Sequence, residues 1–309
     1  MSPADTDLDP AARDFYRRVM HRLEEGGVPF LVGGAYAFER YTGIARHTKD
    51  FDLFVHPRDV ERALALLAAD GCETEMPFPH WLAKAHRGED VVDLIFSSGN
   101  GVALVDDEWF RHAVDETVLD VPVRLIPAEE MIWSKAFIME RERYDGADVA
   151  HILRACAAGL DWPRLLARFG DHWRVLLQHL VGFGFVYPCE RARVPAAVMR
   201  ELMGRLDREL TRPAPERMCR GTLISRAQYL VDVEHWGYGD PRLAPAGNMT
   251  SEERERWTAG IAADGDLGEN LGGGLRSSEG ASAAPSEASP ANSKAPAKPA
   301  LESGLRRAS

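Results

Sequence analysis

Cysteine is scarce in this chain. Four thiols, Cys72, Cys156, Cys189 and Cys219, stand among 309 residues, and no two of them form a CxxC pair. Neither a zinc ribbon nor a disulfide framework is written in such spacing, and the thiols are expected to be buried in a reducing compartment. Long apolar runs are also missing. The nearly uncharged stretch 28–38 falls far short of the roughly 20 apolar residues that a membrane-spanning helix needs. The opening Met1-Ser2-Pro3-Ala4-Asp5 has no signal-peptide pattern. A soluble, cytoplasmic protein is the expectation. Basic charge is in deficit: 37 Lys and Arg face 48 Asp and Glu, for a formal net charge of −11. That balance disfavours long nucleic acid as a partner, because non-selective binding relies on Lys and Arg neutralising phosphates. Aromatic residues stop at Trp257, and 32 of the last 52 residues are Ala, Gly, Ser or Pro. Such a segment buries too little apolar surface to offset the entropy of ordering it, so 258–309 is expected to be a disordered tail.

What remains divides near residue 127. Phe15, Val19, Met20 and Leu23 are spaced for a helix over 11–25, and Gly26-Gly27 ends it. A short apolar strand at 28–32 leads into Gly33-Gly34 and a helix over 35–41. Residues 50–55 alternate as a strand does. A helix over 57–69 opens on Pro57 and stops before Gly71. Further strands are predicted at 72–76, 81–86 and 91–96, with a last one at 121–126. From Pro127 the pattern turns helical, over 127–139, 145–156, 162–169, 173–183 and 195–210. The reading is an α/β first half, 1–126, an all-α second part, 127–257, and the tail.

Three places carry chemistry. Gly33-Gly34 joins a strand to a helix, where absent Cβ atoms let a ligand approach the backbone and the helix N-terminus favours phosphate; a plain tight turn is the simpler alternative. Asp50 and Asp52 project from one face of their strand while Phe51 and Leu53 point to the other. Two adjacent carboxylates repel and raise each other's pKa. A divalent cation relieves that repulsion, and Mg²⁺ accepts one or two carboxylates together with phosphate oxygens. The alternative is an exposed edge strand with solvated acids. Asp93 is a single carboxylate inside the apolar run Val91-Val92-Asp93-Leu94-Ile95-Phe96, where it needs a hydrogen-bonding partner or a metal.

Together these elements, Val32-Gly33-Gly34, then Asp50-Phe51-Asp52-Leu53, then Asp93 on a later strand, resemble the polymerase-β-type nucleotidyltransferase superfamily. The resemblance covers about residues 10–157 and is nearest to compact bacterial members: abortive-infection, antitoxin and aminoglycoside nucleotidyltransferase-like proteins. Arg46-His47-Thr48-Lys49 before the acidic pair also resembles the wording of several bacterial subfamilies. The implied fold is α+β, a small mixed-sheet nucleotidyltransferase core with flanking helices. The implied activity is Mg²⁺-dependent transfer of a nucleoside monophosphate from a nucleoside triphosphate to a hydroxyl acceptor. By that resemblance Asp50, Asp52 and Asp93 are the catalytic, metal-holding residues, with one or two Mg²⁺ ions. Gly33, Gly34, Arg46, Lys49 and Lys135 would serve the nucleotide, with the two glycine amides on its phosphates. Asp148 would support the start of its helix, and a solvated helix lysine remains the alternative for Lys135.

The acceptor stays open between a small molecule, a protein side chain and an RNA end. Two other classes compete: a binding or regulatory module with the same fold and little catalysis, such as half of a toxin–antitoxin pair, and a metal-dependent hydrolase. His172 and His179 are expected in packing. His80 and His86 lack zinc-site spacing, and no GxSxG, P-loop or GxGxxG motif occurs. The Arg- and aromatic-rich run 217–239 is either an acceptor surface or a final helix packed on the core.

Overall fold

The computed structural model describes residues 8–46, 50–213 and 217–260. Helix α1 (Pro10–Glu25) begins where the Asp9 side chain accepts from the Ala11 N–H, and it buries the stripe Phe15, Tyr16, Val19, Met20 and Leu23. Next come β1 (Phe30–Val32), α2 (Gly34–Thr42), β2 (Asp50–Val55), α3 (Val60–Ala69), β3 (Glu73–Phe78), β4 (Leu82–Arg87) and β5 (Asp90–Ile95), then α4 (Asp107–Arg111), β6 (Val114–Val118) and β7 (Val121–Leu125). The strands form one mixed sheet of seven in the order β3-β4-β5-β2-β1-β7-β6. Strand β2 pairs antiparallel with β1 and parallel with β5. It is therefore the central strand, and the edge-strand alternative for Asp50 and Asp52 is excluded.

The two faces of β2 have different neighbours. Phe51 is fully buried and stacks on Tyr16 of α1 with ring centroids 4.9 Å apart. On the opposite face Phe54 stacks on Trp109 at 5.3 Å, and Trp133 stands beyond it. Helices α1 and α3 pack on each other, and both lie against the β3–β5 side of the sheet. The helical region follows as α5 (Ala128–Ala136), α6 (Gly146–Cys156), α7 (Trp162–Phe169), α8 (Trp173–Val186), α9 (Ala196–Leu210), the short α10 (Leu230–Glu234) and α11 (Ser251–Ala259). Because α6 packs on α2 as well as on α5 and α8, one buried apolar cluster runs from Ala12 to Leu223 and continues across residue 127.

Several expectations need correcting. Strand β7 is not alone: β6 precedes it in a hairpin whose two turn residues, Leu119 and Asp120, have φ of 51° and 64°. Both lie in the left-handed region that such tight hairpin turns require, yet neither is the Gly or Asn that signals one. Helix α5 ends at Ala136, and the chain then doubles back through a Met139–Tyr144 bridge. The run 217–239 is not one helix. It holds a single 3-10 turn at Arg220–Leu223 and α10, with Gly237 at φ 71° breaking the path. Helix α11 carries regular structure to Ala259, two residues past the predicted boundary; the rest of the expected tail, 261–309, lies outside the described residues. The four cysteines are free, but only Cys72 is buried. Cys156 and Cys219 are half-buried, and Cys189 is exposed in the turn after α8. No helix among the described residues is long and apolar enough to cross a membrane.

Candidate active site

Strand pairing sets the site. In the parallel β2–β5 ladder Asp52 stands opposite Asp93, and in the antiparallel β4–β5 ladder Asp93 stands opposite Lys84. Opposite residues share a face, and Asp50 joins that face two residues before Asp52. Asp50, Asp52, Asp93 and Lys84 thus occupy adjacent places on three neighbouring strands. Lys84 Nζ lies 2.9 Å from Asp93 Oδ1.

The Gly-Gly turn meets this face from β1. The Gly33 N–H donates to the Asp52 carbonyl at 3.0 Å, extending the β1–β2 ladder by one bond. This corrects the expectation that the Gly33 amide serves phosphate, because sheet pairing has already taken it. The side-chain space is taken too: a Cβ at Gly33 would stand 2.2 Å from Phe54 Cε2. Gly34 is required on two independent grounds. Its φ is +52°, and a Cβ there would lie 1.6 Å from Asp52 Oδ2. The backbone that opens α2 is therefore pressed directly against the Asp52 carboxylate.

Burial pushes the Asp52 carboxyl up to about 7. The charges of Asp93 and Asp50 add to that push, while Lys135 and Arg143 oppose it. Asp93 is also raised, by burial first, with Lys84 pulling the other way. Desolvation alone would lower Lys84, but the charge and hydrogen bond of Asp93 outweigh it and the ammonium is held up.

The remaining predicted residues converge on the same end of the sheet, in a different arrangement from that expected. Lys135 Nζ bonds Asp145 Oδ2 and Asp148 Oδ2 at 2.8 Å each. It is neither solvated nor directed at open space. Arg46 Nη1 reaches Asp148 Oδ2 at 2.8 Å, its other terminal nitrogen bonds Asp148 Oδ1, and its guanidinium covers the Phe38 ring at 4.3 Å. Asp148 stands in the first turn of its helix, as expected, and is also the buried hub of this network. Arg143 stands exposed at the rim, with Nε 3.0 Å from Asp145 Oδ1. Burial raises Asp145, but Lys135 and Arg143 more than cancel that, and its carboxyl sits below the usual range. Lys49 lies outside the described residues. Lys84 and the roles of Arg143 and Asp145 escaped sequence reasoning. The only trace of Lys84 was its alternation with Ala83 and Ala85, which does not reveal what stands across the ladder.

The donor set fits a divalent cation of the Mg²⁺ kind. Asp52 is held away from ionisation by burial and by the two like charges beside it, which a cation would relieve. Among the described residues no group of three or more His, Cys, Asp or Glu is arranged to cage a metal alone. His80 bonds the Gly99 carbonyl at 3.0 Å, His86 bonds Glu75 at 2.9 Å, and His179 bonds the Ala136 carbonyl at 2.8 Å, so these rings are engaged in local contacts. In the 217–239 run, Arg217 already covers Tyr238 at 4.7 Å and Arg226 covers Trp257 at 4.3 Å. Surface cavities of about 700 and 510 Å³ lie between α7 and α9 and beside α5 and α6, and neither is lined by Asp50, Asp52 or Asp93.

Comparison with known proteins adds to this geometry. A search of curated proteins finds no match. Among solved structures, the antibiotic-resistance factor ANT(2'')-Ia is 17% identical over 56% of this chain and 98% of its own, with a TM-score of 0.42. A lincosamide antibiotic adenylyltransferase, LnuA, with lincomycin bound, is 15% identical over 45% of this chain and 94% of its own, with a TM-score of 0.33. A tRNA-processing enzyme is 14% identical over 87% of this chain and 82% of its own, with a TM-score of 0.29. These distant likenesses leave the assignment to the family model described as "Uncharacterised nucleotidyltransferase", which matches residues 11–175 and takes in the whole carboxylate face together with Lys135 and Asp148. That match spans more than half of the 309 residues, and the chain belongs to this nucleotidyltransferase family.

Proposed function

We propose that the protein transfers a nucleoside monophosphate from a nucleoside triphosphate to a hydroxyl acceptor, with Mg²⁺, releasing pyrophosphate. The observation that carries this reading is the Asp52–Asp93 register on central strands, with Gly34 pressed against Asp52 Oδ2. Mg²⁺, when bound, supplies charge neutralisation to the triphosphate and to the departing pyrophosphate. Asp50 and Asp52 would hold it. Gly34, having no side chain, leaves the room that the Asp52 carboxylate occupies. Lys135 and Arg143, whose charges reach Asp52, supply positive potential for the triphosphate. Asp93 faces the acceptor and takes the hydroxyl proton as the acceptor oxygen bonds to the α-phosphorus. The bond from that phosphorus to the β-phosphate bridging oxygen breaks, and pyrophosphate leaves with the electron pair. Most of the rate enhancement is then positioning and electrostatics.

The fold does not name the acceptor. Incubation with Mg²⁺, cell extract and each of ATP, CTP, GTP and UTP labelled at the α-phosphate tests the reading. Label is expected on one class of acceptor, small molecule, protein or RNA end, with pyrophosphate released. Phosphate release without label transfer would indicate a hydrolase. Neither label nor pyrophosphate would indicate a binding module.

A further inference from the structure

Asp93 has about nine-tenths of its surface buried, and Lys84 Nζ holds its Oδ1 at 2.9 Å. Backbone pairing sets this contact. Lys84 is directly opposite Asp93 in the β4–β5 ladder, and β4 is itself fixed between β3 and β5. Its sequence neighbours Ala83 and Ala85 are fully buried on the opposite face of the strand. The ammonium is thereby anchored in the sheet, unlike a surface lysine free to sample many rotamers. A bond from an ammonium to a carboxylate at this distance is charge-assisted. Asp93 is thus partnered before any ligand arrives, while Asp52, its neighbour in register, is crowded by the like charges of Asp93 and Asp50.

We propose that the Lys84 ammonium is the built-in cation of the acceptor-side carboxylate, so that the site takes one divalent ion, at Asp50 and Asp52, in place of two. The inference rests on the nucleotidyl-transfer reading above. A second divalent ion at Asp93 would have to displace a compact positive charge held by the strand pairing and stand beside it against like-charge repulsion. Lys84 is a positioning residue here: it holds Asp93 Oδ1 in place without touching the nucleotide.

Electron paramagnetic resonance of bound Mn²⁺, with a saturating non-hydrolysable triphosphate analogue and a protein-free control, counts the ions. The parent protein is expected to bind one Mn²⁺ per chain with an uncoupled spectrum. Lys84→Met is expected to bind two, with the coupling of ions about 3.5–4 Å apart. Lys84→Arg, which keeps the charge, is expected to return to one. A coupled pair in the parent overturns the proposal, as does a single ion in Lys84→Met whose thermal melt matches the parent's. Should Lys84→Met fail to fold, the parent count alone decides. A parent that binds no more Mn²⁺ than Asp52→Asn overturns the nucleotidyl-transfer reading itself, and this proposal with it.

Discussion

In the helical region Glu130 is fully buried, and two arginines close on it. Arg164 Nη1 lies 2.7 Å from its Oε2 and Arg168 Nε 2.9 Å from its Oε1. Arg168 also forks onto Asp106 at 2.7 and 2.9 Å, and Arg164 reaches Glu129 Oε2 at 2.5 Å. In the sheet, Asp50, Asp52 and Asp93 share one face, with Lys84 on Asp93, and Asp52 is still pushed up to about 7. The helical cluster carries its own positive charge: Glu130 meets two guanidinium groups, and Arg168 forks onto Asp106, although Arg164 Nε has no partner. In the sheet cluster Asp52 keeps a raised carboxyl beside the like charges of Asp93 and Asp50, a perturbation of the kind that marks a functional site.

Substitutions can break or sharpen that contrast. The largest effect is expected at Asp52. Asp52→Asn should lower nucleotidyl transfer by on the order of 10³-fold, with an unchanged or higher thermal midpoint when no divalent cation is present. The sign follows from linkage. The folded Asp52 carboxyl titrates at about 7 rather than at its ordinary 3.8, so between those values the folded chain keeps a proton that the unfolded chain releases. Stability of the parent should therefore fall as pH rises from about 4 to about 7, and Asp52→Asn should flatten that slope in thermal melts. At Glu130 the loss should instead be structural. Glu130→Ala leaves Arg164 only Glu129 and Arg168 only Asp106 and should cost up to about 3–5 kcal/mol in denaturant unfolding, while the folded fraction keeps its turnover. A large turnover defect in fully folded Glu130→Ala would erase the distinction between the two clusters. Gly34→Ala should show both behaviours at smaller scale: about 1–3 kcal/mol of strain from the positive φ, and reduced transfer as the new methyl displaces Asp52. The smallest effect is expected at the cavity of about 700 Å³ between α7 and α9, where Arg205 pairs with Glu201 on an exposed surface. Arg205→Ala should change stability by less than about 1 kcal/mol and leave transfer unchanged.

The sheet side of this contrast was legible in the sequence, for identifiable reasons, whereas the Glu130 cluster was not. Period-two alternation put Asp50 and Asp52 on one face and Phe51 and Leu53 on the other, and the structure keeps that split. Pro57 and Gly71 bracketed the helical turn that holds α3, and apolar spacing located all five main helices of the second half. What the sequence hid depends on pairing between distant strands. Nothing in the text near Lys84 states that β4 lies beside β5 in the register that sets it on Asp93. Register is a tertiary choice made by the packing of whole faces. Strand β6 was invisible because Val114 to Thr117 are exposed at the sheet edge, so no apolar alternation marks them. The Gly33 amide was misjudged because a strand–helix junction reads alike whether its first N–H closes a ladder or faces a ligand. Lys135 was singled out from the sequence, but its bonds to Asp145 and Asp148 needed the turn after α5 to fold back.

The central claim is that the sheet carboxylates complete themselves with a metal-bound triphosphate and transfer its α-phosphoryl group. Pyrophosphate release and α-label transfer, followed side by side in Mg²⁺ and the preferred triphosphate for the parent and for Asp52→Asn, test it most directly. The account predicts equal amounts of pyrophosphate and transferred label from the parent, and loss of both on the order of 10³-fold in a folded Asp52→Asn. Undiminished transfer by Asp52→Asn, or release of γ-phosphate without label transfer by the parent, would contradict it.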